Sequence, residues 1–344
     1  MSHTILVPKD TRRRASEYLT SLRNEKGKAG CLLRECLRGV DLASLTVSSF
    51  LDLLINTKVP QIFAESAILG DGSDWNLTEL SLLGDISIAV PVTIFDNGNH
   101  HAPAVHEKPF GGMLVFTPGA LLRNDRGFPP ADWAEVVGPD RSIRTEGFYR
   151  LYERRLLPVF QHVNTCAAGM AKSALITIPG LGCGQFAGSF RGRLGRVLQD
   201  VLEQFLAIHG KAFPNVKAVY YDPYSECSNQ RFAINGISLM VRPLLRGNEA
   251  KSQLCLPPAY AEEGDDFSDC TLTSIVAWDH VSWPGNDFYS GSRSTDDGVK
   301  AAATDSMAVL TGVQGHYDAT IGAYLPPPPF RTWEEVVHEN KPRL

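Results

Sequence analysis

Apolar and polar residues follow one another along this chain with two spacings, which predict a mixture of helices and strands. Short β-branched runs predict buried strands, whereas apolar residues three or four positions apart predict amphipathic helices. The predicted strands are residues 62–69, 86–95, 111–118, 174–178, 216–221 and 272–277, with a further strand within 232–245. The predicted helices are residues 15–22, 41–55, 148–167, 194–208 and 297–310.

Single residues set several of the expected boundaries. Asp41 is placed to cap the second predicted helix, because its carboxylate can accept hydrogen bonds from free N–H groups at a helix start. Pro158 is expected to interrupt the third helix, and Gly210 to end the fourth in a left-handed conformation. Pro91 cannot donate a hydrogen bond to a neighbouring strand, so its strand is expected at a sheet edge or a bulge.

The segment from residue 173 to residue 222 has the most regular pattern. A strand, a glycine-rich loop, a helix and a second strand follow one another within it. That order predicts two parallel strands joined by a right-handed crossover, and the expected fold class is α/β. Residues 246–270 are polar and acidic and are expected to form a linker.

Composition narrows the range of functions. The 344 residues allow one large domain or two ordinary ones, and the contents of hydrophobic (43%) and charged (21%) residues are ordinary for a folded protein. A net charge of −5 argues against a general nucleic-acid binder. No apolar run has the length of a membrane helix, and the first residues lack the pattern of a secretory signal. Seven cysteines without paired spacing favour a reducing compartment, so a cytoplasmic location is expected.

A glycine-rich loop, GLGCGQFAG, occupies residues 180–188 between a predicted strand and a predicted helix. Glycines allow a backbone to approach a ligand closely, and a helix start directs N–H groups and positive potential towards an anion. The loop has neither the Gly-Lys-Ser/Thr of a Walker motif nor the spacing of a dinucleotide fingerprint. A phosphate or diphosphate site is therefore predicted, with a tight turn packed by small residues as the alternative.

Three acids, Asp279, Asp287 and Asp297, lie on a path that leaves a strand, crosses a loop and enters a helix. Each has a structural alternative. Asp279 could form an Asx turn, Asp287 could be a solvated loop acid, and Asp297 could pair with Ser294 in a capping arrangement. Because all three occur together, among aromatic residues and glycines, we expect them to form a functional site. Asp296 could replace Asp297 in any role.

A histidine-containing loop, residues 96–107, is a weaker candidate. His100, His101 and His106 suggest a metal, but no acidic or cysteine partner lies at metal-ligand spacing, so a solvated loop is favoured. No metal site is predicted.

The glycine-rich loop resembles the second phosphate loop of macrodomains and, more distantly, that of poly(ADP-ribose) glycohydrolases. The resemblance implies that this loop and Asn286, which directly precedes Asp287, bind ADP-ribose. The residues implied are Gly180, Gly182, Cys183, Gly184, Gln185, Phe186, Gly188 and Asn286. The chain lacks the Gly-Gly-Gly and Gln-Glu-Glu signature of the glycohydrolases, so their catalytic glutamates have no counterpart here.

The acidic path resembles the macrodomain ADP-ribosylhydrolase effectors of the MavL type, in the run W-D, N-D-F and D-D-G. Those enzymes remove ADP-ribose from an arginine of ubiquitin and depend on three aspartates. By this resemblance Asp279, Asp287 and Asp297 are catalytic, ADP-ribose is ligand and product, and no cofactor is needed.

The resemblance also implies a three-layer α/β/α macrodomain with a mixed central sheet. We expect that domain over residues 58–330, after a helical extension over 1–57 and before a tail over 331–344.

Cleavage of the glycosidic bond at the distal ribose passes through an oxocarbenium-like state, which a carboxylate stabilises while another activates water. We expect Asp287 and Asp297 beside that ribose, with Asp297 ionised at its helix start, and Asp279 orienting the substrate. Two alternatives stay open. One is an ADP-ribose reader without turnover, and the other is a phosphoesterase whose acids hold Mg²⁺.

Overall fold

The computed structural model describes residues 2–61, 68–124 and 127–341. The strands in these ranges are β1 (Thr4–Leu6), β2 (Ser87–Asp96), β3 (Val105–Pro118), β4 (Ser173–Pro179), β5 (Val216–Asp222), β6 (Gln230–Ile234), β7 (Ile237–Val241), β8 (Cys270–Trp278), β9 (His316–Asp318) and β10 (Ala323–Leu325). The α-helices are α1 (Lys9–Arg23), α2 (Cys31–Cys36), α3 (Val47–Ile55), α4 (Leu77–Leu83), α5 (Trp133–Val136), α6 (Thr145–Gly169), α7 (Leu194–His209), α8 (Asp296–Ala302), α9 (Ser306–Thr311) and α10 (Trp333–Glu339).

Eight strands form one mixed sheet in the order β1-β2-β3-β8-β4-β5-β7-β6. Strands β3, β8, β4, β5 and β7 run parallel to one another, while β2 and β6 are antiparallel to their neighbours. The parallel pairing of β4 with β5 confirms the predicted strand–helix–strand unit, and the mixed sheet confirms the predicted fold class.

Helices cover both faces of this sheet. On one face, α6 and α7 bury apolar side chains such as Phe160 and Leu202 against Ile176 and Val219. On the other face, the residues around Tyr260 pack with the ends of α8 and α9 against β2, β3 and β8. The residues expected to form a linker are thus partly a packed layer, because Tyr260 and Phe267 are buried in the core.

Two helix predictions in the first half of the chain were wrong in detail. The helix predicted over 41–55 begins only at Val47, where Thr46 and Ser49 form a reciprocal capping box. Asp41 instead accepts the Ala43 N–H in the preceding turn, at 3.0 Å.

The predicted interruption at Pro158 is absent, since α6 continues through it. The buried apolar face of α6 offsets the single hydrogen bond that a proline removes.

Two predictions about helix ends also need correction. Gly210 is right-handed and continues into a 3-10 turn, so it does not terminate α7 as a left-handed residue. The helix predicted over 297–310 is two helices, α8 and α9. The chain breaks between them because Thr304 and Asp305 bind the outer side of β2, where the Asp305 carboxylate accepts the Thr93 N–H at 2.7 Å.

Pro91 lies beyond the three residues of β2 that pair with β1, so no strand neighbours it on that side, among the described residues. This agrees with the predicted edge position. The strand predicted over 62–69 falls mostly on residues 62–67, which lie outside the described residues.

The first part of the chain contributes to the main sheet as well as forming helices. Strand β1 pairs with β2, and α1 to α4 enclose a second apolar cluster around Phe50, Leu54 and Leu80. That cluster includes Val281 from the loop after β8. The division of the chain at residues 57 and 330 stays a prediction.

Candidate functional site

Four parallel strands end at one edge of the sheet. Pro118, Trp278, Pro179 and Asp222 are the last residues of β3, β8, β4 and β5, which are consecutive neighbours. In open α/β sheets, ligands bind outside the carboxyl ends of the strands. The glycine-rich loop follows β4 and the acid-bearing loop follows the adjacent β8, so the topology brings the two predicted halves of the site to the same edge.

The first turn of the glycine-rich loop is shaped by packing. Gly182 has a φ of +69°, and a Cβ there would approach the Ala120 N at 2.7 Å. The Tyr152 hydroxyl donates to the Leu181 carbonyl at 2.5 Å and accepts the Ala120 N–H at 3.0 Å. The tight-turn explanation thus accounts for Gly182, because no side chain fits between this loop and the chain after β3.

The second turn of the loop borders a cavity of about 420 Å³. A 3-10 turn over Gln185–Phe190 contains Gly188 at a φ of 53°. The Gln185 side chain accepts a hydrogen bond from Arg123 Nη1 at 2.8 Å across this cavity. The residues that line it are Leu122, Arg123, Asn124, Gly184, Gln185, Gly188, Ser189 and Arg191.

The predicted ligand residues of this loop do not all present side chains to the cavity. Gly184 and Gln185 are exposed, whereas Cys183 is buried in the core beneath them. Burial raises the pKa of the Cys183 thiol well above its usual range. Its side chain therefore serves packing, and only its backbone is available to a ligand.

The predicted anion site at the start of α7 is already occupied. The Glu226 carboxylate, from the loop after β5, accepts the Gly195 N–H at 2.7 Å. Glu226 thus caps α7 from a distant part of the sequence, which the local pattern gave no means of predicting. The Gly195 N–H is therefore engaged within the protein, although this helix start was expected to present free N–H groups to a phosphate. An anion on this side must rely on the loop's own N–H groups and nearby side chains.

Asp279 is the first residue after β8 and organises the start of the acid-bearing loop. Its Oδ1 accepts the N–H groups of Val281 and Ser282, each at 2.7 Å, and its Oδ2 accepts the Ser282 hydroxyl. The carboxylate therefore forms the Asx turn that was the structural alternative, while remaining partly exposed.

Asp287 lies in a 3-10 turn over Asn286–Phe288, held by Gly285 at a φ of +80°. Its Oδ2 accepts the Thr295 hydroxyl at 2.7 Å. Thr295 is the N-cap of α8, so the capping role proposed for Ser294 was wrong. Burial raises the pKa of Asp287, and the Asp279 carboxylate adds to the rise. Asn286 is buried, at 4% exposure, next to it.

Asp297 is buried at the start of α8 and reaches back to the same turn. Its Oδ1 accepts the Gly285 N–H at 2.9 Å and its Oδ2 the Asp287 N–H at 3.2 Å. Burial raises the pKa of Asp297 well above its usual range, and the Asp287 carboxylate acts in the same direction. Burial and the like charge of Asp287 thus oppose the ionised form of Asp297 that the helix start was expected to favour, whereas the two backbone hydrogen bonds favour it.

Asp296 is engaged on the other side of the loop. Its carboxylate pairs with Lys300 at 2.8 Å and accepts the Ala277 N–H at 2.7 Å. Lys300 also donates to Gln253 Oε1, which joins Asp296 to a buried network beneath the sheet edge. The structure thus separates Asp296 from the group formed by Asp279, Asp287 and Asp297, which we call the aspartate trio.

An aromatic contact links the two loops. The rings of Phe186 and His280 have centroids 6.5 Å apart, and His280 directly follows Asp279 in the sequence. The Leu122 N–H donates to the Phe186 carbonyl at 2.9 Å, so the chain after β3 bridges to the glycine-rich loop. Phe186 therefore lies where the loop meets the start of the acid-bearing loop.

The sequence model of the MavL macrodomain effector family matches residues 3–330. The chain belongs to this family. The match confirms the predicted resemblance and extends it to the N-terminal region, which the quoted motifs did not cover. No individually curated protein matches the chain. Membership connects the protein to ADP-ribose binding or hydrolysis.

Neither a metal-binding group of side chains nor a membrane-spanning helix is found in the described ranges. No three His, Cys, Asp or Glu side chains there are grouped as a metal site requires. His106 lies in β3 and contacts the Leu254 carbonyl through Nε2 at 2.9 Å. No helix among the same residues is long and apolar enough to cross a bilayer.

Two basic residues at this candidate site were not predicted from the sequence. Arg293, within the acid-bearing loop, forms a bidentate ion pair with the buried Asp96, both contacts being 3.0 Å. Lys58, from the N-terminal region, is buried beside Trp278 and His280. Neither lies in a motif. The one available signal, a lysine three residues after the end of α3, is too common to suggest a site.

Proposed function

We propose that this protein is a hydrolase that removes mono-ADP-ribose from arginine on a modified protein, with ubiquitin as the leading candidate substrate. The observation that supports this proposal most is the meeting of a glycine-rich loop and the aspartate trio at one sheet edge. Phosphate-binding and ribose-binding chemistry would then lie on adjacent loops, as a ligand with a diphosphate and a distal ribose requires.

In this proposal the diphosphate lies against the cavity formed by Gly184, Gln185 and Gly188. Arg123 and Arg191 at the same cavity supply positive charge, which suits an anion. The distal ribose then extends past Phe186 towards Asp279 and the rest of the trio. Nucleic-acid and membrane partners are not part of the proposal.

We assign different tasks to the two coupled acids. Asp287 and Asp297 repel each other when both are ionised, so the pair retains a proton more readily than isolated carboxyl groups do. Asp287, the more exposed of the two, would be the carboxylate that stabilises the oxocarbenium-like state and orients water. Asp297 would hold the proton and bind a ribose hydroxyl, and Asp279 would orient the substrate.

The experiment is to incubate the protein with ubiquitin carrying ADP-ribose on arginine and to measure free ADP-ribose. We expect release from this substrate, and less from a serine-linked one. Asp287→Ala and Asp297→Ala should each lower kcat by about 10²–10⁴-fold, the usual contribution of a positioned acid or base. Asp266→Asn is the matched control, because Asp266 is exposed and precedes the opposite end of β8.

A second function, an ADP-ribose reader without turnover, is favoured by one observation. The carboxylates of Asp279 and Asp297 each accept two backbone N–H groups of the loop, so they serve its structure as well. Binding of ADP-ribose without any release from modified ubiquitin would support the reader and exclude the hydrolase. Activity abolished by EDTA and restored by Mg²⁺ would instead favour the phosphoesterase.

A further inference from the structure

We propose that Lys58, supplied by the N-terminal region, is a positioning residue that fixes Asp279 and balances the charge of the aspartate trio. This inference rests on the proposed function, which gives the trio its catalytic task. It also assigns a role to a part of the chain for which the sequence motifs suggested none.

The backbone around Lys58 is joined directly to the acid-bearing loop. The Val59 N–H donates to the Val281 carbonyl at 2.9 Å, and the Trp283 N–H donates to the Val59 carbonyl at 2.9 Å. These two bonds form a short parallel bridge between residue 59 and residue 282. The N-terminal region therefore holds the loop immediately after Asp279, independently of any side chain.

The ammonium group of Lys58 contacts the residues on both sides of Asp279. Its Nζ donates to the His280 carbonyl at 2.5 Å and lies 4.1 Å from the ring centroid of Trp278. A cation over an indole face is attracted by the ring, most strongly where water is excluded. Lys58 is 3% exposed, so both contacts operate in such surroundings. Movement of Asp279 would disturb at least one of them.

The positive charge of Lys58 is complementary to the negative charge of the aspartate trio. A buried ammonium is costly unless negative charge lies nearby, and the Asp279 carboxylate favours the charged form of Lys58. In return, a positive charge reduces the repulsion among the carboxylates of the trio. Lys300, the other buried lysine at this edge, is engaged by Asp296, Gln253 and the Ile275 carbonyl. For Lys58, one hydrogen-bond acceptor is found among the described residues.

The charge of Lys58 depends on pH, and it is lost as the pH rises. Burial lowers the pKa of Lys58 to about 7, and Asp279 opposes part of that fall. The ammonium is present below this pKa and is lost as the pH rises through it. The Asp279 carboxylate raises the pKa of Lys58, and it also raises the pKa of Asp287 and Asp297. The other neighbours of the ammonium are uncharged: the ring of Trp278 and the carbonyl of His280. Activity should therefore decline above about pH 7.

Three variants test the role. Lys58→Met removes the charge, Lys58→Arg retains it at every accessible pH, and Lys211→Met changes an exposed lysine before the opposite end of β5. We expect Lys58→Met to lower kcat by at least about tenfold without the decline near pH 7. Lys58→Arg should recover part of the activity and should not show the decline near pH 7, because its guanidinium stays charged. A Lys58→Met protein that keeps its full activity and its decline near pH 7 would overturn the proposal.

A double-mutant cycle separates positioning from general stability. If Lys58 acts through Asp279, Lys58→Met should cost little in an Asp279→Asn background, whereas independent effects would multiply. Equal losses in both backgrounds would overturn the proposal. If the wild-type protein releases no ADP-ribose, the proposed function fails by itself. The same cycle and pH series are then measured as ADP-ribose affinity, so the role of Lys58 is still decided.

Discussion

The glycine-rich loop and the acid-bearing loop follow neighbouring strands but are held in place by different means. The first is fixed mainly by backbone conformation, since Gly182 and Gly188 have positive φ and lie against the chain after β3. The second is fixed by side chains from distant segments, chiefly Asp96 and Lys58. A loop shaped by backbone conformation can be anticipated from glycines, whereas anchoring by side chains from distant segments leaves no local pattern.

The largest effect is expected at the ion pair that anchors the acid-bearing loop. Arg293→Met would leave Asp96, which has no exposed surface, as an uncompensated buried charge. Breaking such a pair from one side costs about 3–5 kcal/mol, so the free energy of unfolding should fall by roughly that amount. Chemical denaturation measures it. Arg293→Lys should recover little, because a lysine cannot make both bonds to the carboxylate.

If Arg293→Met were as stable as wild type, the acid-bearing loop would not depend on this pair, and the contrast between the loops would be lost. Asp266→Asn serves as the surface control, since Asp266 is exposed.

A matched pair of glycine substitutions tests the other loop. Gly182→Ala should lower the free energy of unfolding by about 1–3 kcal/mol, because its Cβ meets backbone and its φ is positive. Gly184→Ala should lower stability less than Gly182→Ala, since its Cβ meets no atom within 4 Å. Gly184→Ala should instead weaken ADP-ribose binding, as calorimetric titration would measure. The reverse pattern would mean that Gly184, and not Gly182, shapes the turn.

The smallest effect is expected at the start of α7. Glu226→Ala removes the cap of that helix and should cost about 1 kcal/mol of stability, a typical value for a lost cap. ADP-ribose affinity should be unchanged or slightly higher, because the diphosphate is proposed to lie on the loop and not on the helix start. A large loss of affinity, with the thermal midpoint little changed, would show that Glu226 supports the ligand site directly.

Much of the sheet was predictable because its strands carry their own pattern. The runs around Ile88, Ile176 and Val219 are apolar and β-branched, and each forms a strand whose ends lie within one residue of the predicted bounds. Helix ends were less predictable, because several residues near a helix start can serve as its cap. Packing selects Thr46 for α3 and Glu226 for α7. Pro158 is a further example, since burial of the apolar face of α6 outweighs the tendency of proline to interrupt a helix.

The sequence by itself determined which residues carry the candidate chemistry: glycines after one strand and three aspartates after another. Their local conformations also follow from their sequence, because Asx turns and positive φ values depend on neighbouring residues. Only the tertiary structure decided that the two loops meet beside Phe186 and His280, that Asp296 turns away, and that Asp297 is buried. It also brought Lys58 beneath Asp279. Burial and charge coupling arise between segments that are remote in sequence, so no local pattern contains them.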